Sequence, residues 1–389
     1  MKPKSVRPTI PVQTQNELWA RAAGRCEFRG CNKLLYKDSL TQKRSNLAII
    51  SHIVAFSPDG PRGEPLRSKQ LAQAIANLML TCRDHGKIID DKAREDEYPE
   101  QLLLEFKHEH EQRIRLLTEN REDAQTHVLL LQAPIDGHDV SINATDAFRA
   151  ILPRYPAEED AMLIDLSGTA LPVDTEGLFP LMAQAITAQV SPLLRRHAGR
   201  PRMQRLSVFA LAPIPLLVHF GSLLGDLHHV DLYQRHRDRQ NWTWGEEEEA
   251  RTFYEVHIPE CCANTGQEVA LVLSISESVV RARVDAALGS EPLIYEIRAR
   301  EPSRDFLTSK KRLEMFGYEV RKLLYEFRTW HEHHRAVHLF AAVPAPVAIE
   351  FGRSLKAFDP PFWIYEYQKG TRTLVPVLMV NDREKNPYE

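Results

Sequence analysis

Two stretches of the chain, "FALAPIPLLVHFGSLL" and "FAAVPAPVAIEFGRSL", align over their whole length. Phe209 matches Phe340, Pro213 matches Pro344, Pro215 matches Pro346, Gly221 matches Gly352 and Leu224 matches Leu355, all at an offset of 131 residues. A period this long exceeds the roughly 20–50 residues of a solenoid unit, so it reads as two related halves fused in one chain. The paired Pro-x-Pro and Phe-Gly argue against two unrelated turns that share common residues. Each copy runs as an apolar strand, a turn and a helical pattern, then leads to an apolar stretch ending at a tyrosine, Tyr233 or Tyr365, the second one residue out of register. "EVALVLSISESVVRARVDAALG" repeats the strand–turn–helix order, and "HVLLLQAP" supplies an opening strand. This alternation predicts an α/β fold with a largely parallel sheet.

The repeat leaves the first third of the chain unexplained, and that part differs in character. Residues 1–94 carry 17 Lys/Arg against 8 Asp/Glu, a balance of +9, while the remainder carries 33 against 45, a balance of −12. A basic block on an acidic body suggests a polyanionic partner for the block alone, although a chance cluster on a solvated surface gives the same count. "YPEQLLLEFKHEHEQRIRLLTEN" has helical spacing with Pro99 near its start, and "TENREDAQTH" follows as a polar linker. The boundary is therefore expected near residue 120, giving domains 1–120 and 121–389. At 43% hydrophobic and 26% charged residues, the 389-residue chain reads as soluble and globular. "MKPKSVRPTIPVQTQ" lacks the apolar region of a secretory signal, and no apolar run is long enough to span a bilayer. A cytoplasmic protein without a membrane partner is expected.

Within the basic block, Cys26 and Cys31 form one close pair, and Cys82-Arg-Asp-His85 forms another. Two short chelate pairs separated by an intervening fold suit a structural Zn²⁺ site, which takes four N/S ligands tetrahedrally. Bound metal would help so small a block fold. Buried free thiols with a surface histidine are the bland alternative. Between the pairs, "NLAIISHIVAF" reads as a strand that breaks at His52 into a Pro/Gly-rich loop, and "QLAQAIANLMLTCRDHGKIIDDK" returns to helical or mixed spacing. A lone histidine at a strand end is more often a satisfied core residue than a base.

The order Cys-pair, "SHI", "GPRG", "NLMLTC", "CRDH", "IID" and "YPEQLLLEFKHEHE" resembles an HNH endonuclease of the ββα-metal class over about the first hundred residues. The resemblance implies an α+β zinc-containing domain. It makes His52 the general base that deprotonates water for attack on a phosphodiester, and Asn77 the residue that pins the loop carrying it. It further implies a single catalytic Mg²⁺ or Mn²⁺. Arg62 could hold a phosphate in bidentate fashion. Two positions depart from the family: Ser51 and Gly86 stand where metal ligands are expected, and Asp90 is the best substitute ligand in the sequence.

From about residue 150 onward, "FALAPIPLLVHFGSLLGDLHHVDLYQRHR", "WTW" and "LFAAVPAPVAIEFGR" resemble the SAVED domain, built of two fused CARF-like, Rossmann-type halves. That resemblance implies binding of a cyclic oligonucleotide second messenger, cyclic GMP-AMP being the favoured guess. With the HNH part it implies an effector nuclease of a bacterial CBASS anti-phage system, degrading double-stranded DNA. Oligomerisation is expected, from a resting dimer to a higher active form. Ligands of open α/β sheets sit beyond the carboxyl ends of strands, where the Pro-x-Pro turns fall. Arg235, Arg237, Trp242, Trp244, Tyr254 and Arg353 are the expected ligand contacts, because guanidinium groups suit phosphates and ring faces suit bases. "SISESVV" puts small hydroxyl residues at a strand-to-helix junction, fit for an anion or for plain capping. "WHEHHRAVH" reads as a polar helix end, and Cys261-Cys262 as ordinary packing. Two other readings stay open: a sensor whose zinc module binds DNA without cutting it, or one whose module only docks proteins.

Overall fold

The structure, a computed structural model, describes residues 9–38, 40–119, 124–168, 177–197, 205–225, 229–246, 252–259, 267–289, 291–330 and 336–382. Cys261, Cys262 and most of "WHEHHRAVH" lie outside the described residues. The chain divides into two compact units, Met1–Arg121 and Glu122–Glu389.

The first unit is a hairpin dressed with helices. Helix α1 (Val12–Arg21) follows Pro11 and buries Leu18. Strand β1 (Ala48–His52) pairs antiparallel with β2 (Leu78–Cys82), with His52 opposite Leu78 and Ala48 opposite Cys82. Between them lie the short helix α2 (Arg67–Leu71) and a 3-10 turn, Ile75–Asn77. Helix α3 (Arg83–Ile89) starts directly after β2, and α4 (Glu100–Thr118) starts behind Pro99 with Glu100 in its first turn, where the helix dipole favours an acid. The stretch of mixed spacing expected after residue 70 therefore resolves into helix, strand and helix. All five residues of β2 are buried, and a doubly covered strand reads as a continuous apolar run that periodicity alone does not separate from a helix.

The second unit holds two sheets. Its elements are β3 (Gln125–Gln132), α5 (Ala144–Ala150), β4 (Tyr155–Pro156), β5 (Met162–Asp165), α6 (Leu178–His197), β6 (Leu206–Leu211), α7 (Ile214–Leu224), β7 (Val230–Tyr233), β8 (Tyr254–His257), β9 (Val269–Ser274), α8 (Arg281–Leu288), β10 (Leu293–Ala299), α9 (Lys310–Trp330), β11 (Val337–Ala342), α10 (Ala345–Ser354), β12 (Phe362–Gln368) and β13 (Thr373–Val380). The first sheet runs β4-β3-β6-β7 with β5 also on β3, all parallel. The second runs β13-β12-β11-β9-β10-β8, parallel except for its antiparallel outer strands β8 and β13. Taken half by half, β5-β3-β6-β7 and β10-β9-β11-β12 share one strand order, with the first strand of each half between its second and third.

The repeat thus falls on one βα unit in each sheet: β6–α7 and β11–α10. The two repeat helices pack on each other at their glycines. A Cβ on Gly221 would stand 2.1 Å from the Ile349 carbonyl oxygen, and one on Gly352 would stand 2.1 Å from the Val218 carbonyl oxygen and 3.0 Å from Gly221 Cα. Only glycine lets the backbones approach this closely, so Phe-Gly recurs because each glycine meets the other half. Phe220 and Phe351 beside them are wholly buried in a core shared by both sheets. Among the described residues no helix is long and apolar enough to cross a membrane.

Candidate functional site

In the first unit the loop after α1, the end of β2 and the start of α3 gather four candidate ligands. The Sγ atoms of Cys26, Cys31 and Cys82 and a ring nitrogen of His85 all lie within 4.8 Å of one another. His85 Nδ1 is 3.2 Å from Cys82 Sγ and 3.7 Å from Cys26 Sγ, and the Cys82 amide donates to Cys26 Sγ at 3.3 Å. Phe28 stacks flat on the His85 ring, 4.0 Å between centroids, and fixes its plane. Burial pushes the Cys26 thiol well up from its ordinary value, with the neighbouring Cys31 and Cys82 adding to the shift. Burial also lowers His85, opposed by Asp84. Three clustered sulfurs and one imidazole are a fitting set for tetrahedral Zn²⁺, whose charge would hold the sulfurs as thiolates despite their burial.

On the same hairpin, His52 ends β1 and is 5% exposed. Its Nε2 donates to the Ala72 carbonyl at 2.9 Å. A carbonyl only accepts, so the proton of the neutral ring sits on Nε2 and Nδ1 is the nitrogen able to take another. Asn77 grips the backbone just beyond: its Oδ1 accepts from the Val54 amide at 2.8 Å, and its Nδ2 donates to the carbonyls of Val54 at 2.9 Å and Leu71 at 3.2 Å. Asn77 therefore ties the segment after His52 to the segment before β2.

Arg62, in the left-handed region at φ 57°, turns its guanidinium inward. Nε donates to Ile53 O at 2.5 Å, one terminal nitrogen to Tyr98 O at 3.2 Å and the other to Ile89 O at 2.7 Å. Its donors thus bind three carbonyls of its own unit. Burial holds the guanidinium below its ordinary value, opposed by Glu95, Asp90 and Glu100. Asp90 caps the C-terminus of α3. Ser51 and Gly86 face each other under the hairpin: Ser51 Oγ is 2.9 Å from Thr81 Oγ1, and a Cβ on Gly86 would lie 3.2 Å from Ser51 Oγ. Among the described residues the Cys/His cluster is the only group of three or more metal-ligating side chains.

In the second unit a cavity of about 690 Å³ opens at the carboxyl ends of β6, β7, β9, β11 and β12. Both repeat copies border it, through Ala212 and Ile214 in one half and Pro344 and Ala345 in the other. Helices α7 and α10 begin here, so two helix N-termini, favourable to negative charge, lie at its wall. Arg235, Arg237, Arg283 and Arg304 line it, against the acids Asp136, Glu277 and Glu366. The "SISESVV" stretch lines it as well, through residues 276–280.

Of the six expected ligand contacts, the structure brings Arg235 and Arg237 to the cavity. The other four lie outside its lining. Trp242 is 2% exposed and meets Phe209 edge-on at 5.2 Å. Trp244 packs partly buried on the core. Tyr254, 4% exposed, donates its hydroxyl to Arg312 O at 2.8 Å. Arg353 pairs with Glu350 at 2.8 Å one turn back on α10. Sequence reasoning did not single out Arg283, Arg304, Gln234 or Glu366; position just beyond the tyrosine that closes each repeat marks the last two.

A family model described as "SMODS-associated and fused to various effectors sensor domain" (SAVED) matches residues 186–380. The search of curated proteins finds no match. Among solved structures the chain is similar to the Acinetobacter baumannii Cap4 SAVED/CARF-domain containing receptor with the cyclic trinucleotide 2'3'3'-cAAA, at 12% identity and a TM-score of 0.44 over 81% of this chain and 62% of that one. The same receptor with 3'3'3'-cAAA gives 12%, 0.45, 82% and 67%. The Moraxella osloensis Cap4 receptor gives 11%, 0.41, 76% and 60%. The chain thus spans 60% to 67% of the length of these receptors. With a family model covering half its length, on the unit that holds the repeat and the arginine-lined cavity, the chain belongs to the SAVED family of sensor domains.

Proposed function

We propose that this chain is an effector nuclease switched by a cyclic oligonucleotide, of the kind CBASS anti-phage systems use. The observation that carries the sensing half is the cavity: four arginines and two helix N-termini converge at the strand-to-helix turns of both repeat copies. This wall suits a compact ligand with more than one phosphate. The family description names a sensor domain fused to effectors, and the Acinetobacter baumannii Cap4 receptor is solved with two cyclic trinucleotides. A cyclic dinucleotide such as cyclic GMP-AMP is our favoured ligand. A messenger activates only by binding the active arrangement more tightly than the resting one, and an oligomer that orders the first unit is the arrangement we favour.

The first unit supplies the activity in this reading. Cys26, Cys31, Cys82 and His85 would hold Zn²⁺, which supplies a cross-link between the N-terminal loops and the start of α3. His52, with its proton placed on Nε2 by the Ala72 carbonyl, accepts the proton of the attacking water at Nδ1. Asn77 keeps that imidazole in place through its grip on Val54. Double-stranded DNA is the substrate, and no sequence code is required for toxicity to an infected cell.

The test joins two assays on the purified full chain. Calorimetry against cyclic dinucleotides and trinucleotides reads binding, and plasmid cleavage with Mg²⁺ or Mn²⁺ reads activity with and without each ligand. Ligand-dependent nicking is expected; a chain that binds a messenger yet never nicks DNA overturns the nuclease reading. One observation favours the second reading, a zinc module that binds DNA without cutting it. Ser51 and Gly86 stand where the HNH family carries metal ligands, and Ser51 Oγ meets Thr81 Oγ1 there at 2.9 Å. Ligand-dependent DNA retention without cleavage would support that reading.

A further inference from the structure

The cavity is two-fold in its backbone but not in its chemistry. Strands β7 and β12 are counterparts in the repeat; Tyr233 ends β7 and Tyr365 stands midway along β12, each packed on the phenylalanine of the neighbouring strand. Tyr233 lies 4.4 Å from Phe209 and Tyr365 lies 4.3 Å from Phe340, centroid to centroid. The next residue lines the cavity in both halves: Gln234 in the first and Glu366 in the second. Equivalent positions thus carry an amide and a carboxyl.

Their surroundings differ too. Gln234 Nε2 donates to the Arg235 carbonyl at 2.7 Å, which fixes the amide with its oxygen on the other side. That oxygen is shielded from water and has no partner among the described residues. A shielded acceptor without a donor is costly, and a ligand N–H would relieve it. Glu366 receives only the Tyr367 amide, at 3.4 Å, among the described residues. Burial, with Asp136 adding repulsion, pushes its carboxyl up to about 7. The arginines of the cavity do not pair with it among the described residues, so its oxygens are open to donors from the cavity.

Nucleobases offer few edges that match. Two ligand donors would favour the ionised form of Glu366, and a carboxylate is acceptor-only, with two oxygens side by side. Guanine places two donors side by side on its Watson–Crick edge, N1–H and the exocyclic N2 amine; adenine places one donor beside one acceptor. We propose that Glu366 reads guanine, its two oxygens accepting N1–H and the N2 amine of one base of the ligand, while Gln234 Oε1 accepts a single amine hydrogen from the other base. A ligand with two unlike bases then binds in one orientation, guanine toward the second half. This rests on the cyclic-nucleotide reading above and specifies which base that cavity selects.

The experiment is a calorimetric panel on the full chain: cyclic GMP-AMP, cyclic di-GMP, cyclic di-AMP, and cyclic IMP-AMP, in which hypoxanthine lacks only the N2 amine. A site built around polar partners rejects an analogue that leaves one unpaired. Wild type is expected to favour cyclic GMP-AMP over cyclic IMP-AMP by about tenfold or more. Glu366→Gln, nearly isosteric, should reduce that ratio to under about threefold while its thermal midpoint stays within a few degrees of wild type. Glu366→Asp keeps the carboxylate and should keep part of the preference, which guards against a folding defect in the amide variant. If Glu366→Gln retains the full ratio, or if wild type binds cyclic di-AMP as tightly as cyclic GMP-AMP, Glu366 does not read guanine, although the sensor reading stands. A chain that binds none of the panel, nor any cyclic trinucleotide, overturns both.

Discussion

His52 shows how one carbonyl can decide a role. The Ala72 oxygen fixes the proton of the neutral ring on Nε2, so His52→Ala should abolish DNA cleavage while leaving messenger affinity unchanged, read by plasmid nicking beside calorimetry. Full cleavage by that variant would remove His52 as the base. His219 tests a different kind of histidine. Burial lowers it from 6.5 to about 4, opposed by the Ala183 carbonyl, and Thr187 Oγ1 lies 2.8 Å away. Between pH 6.5 and 4 the unfolded chain binds a proton there that the folded chain refuses, so stability falls as pH falls through that window, by up to about 3 kcal/mol. Thermal midpoints over that range should drop less in His219→Gln. Residue roles were the least legible part of the sequence. Arg235, Arg237, Trp242, Trp244 and Tyr254 sit in one Arg- and aromatic-rich block, yet only the two arginines reach the cavity. Spacing does not tell a ring that closes a core, such as Trp242 against Phe209, from one that meets a ligand. Glu366 shows only through the repeat: it follows Tyr365 as its counterpart Gln234, 132 residues earlier, follows Tyr233.

At the scale of elements, the repeat was the most legible feature. Pro-x-Pro and Phe-Gly survive in both copies for reasons that appear only in three dimensions: the prolines start helices at the cavity, and the glycines let those helices touch. Gly352→Ala would drive a methyl against Val218 O, and backbone oxygen has no rotamer by which to yield. Over-packing of this kind costs about 1–3 kcal/mol or more. We expect a lower thermal midpoint and weaker messenger binding, since α7 and α10 also carry cavity residues. What the sequence hid was the division into two sheets and the identity of β2, an apolar run that either element type could bury. In the first unit, Cys82→Ser or exhaustive chelation should release zinc and loosen the hairpin. Metal analysis and circular dichroism would read this; a stoichiometrically metal-free, fully folded wild type would reject the site.

For the molecule as a whole, charge separates the two units. The first unit carries 21 Lys/Arg against 16 Asp/Glu, with a balance of +9 concentrated in residues 1–94; that block should hold DNA by phosphate contacts, so retention on double-stranded DNA should fall steeply between low and physiological salt, as counterion release requires. Retention that ignores salt would point to protein docking instead. The second unit carries a simpler lesson about symmetry. A two-fold helix contact in which glycine meets glycine is the contact that two identical chains make across a dimer axis. Two copies of one half, joined at this crossing, would line a pocket with the same residue on both sides and treat both ends of a ligand alike. Fusion into one chain lifts that constraint: Gln234 and Glu366 could diverge while the glycines, which must still fit each other, could not. The joined halves are therefore free to distinguish the front of a small cyclic molecule from its back, a discrimination that no symmetric pair can make.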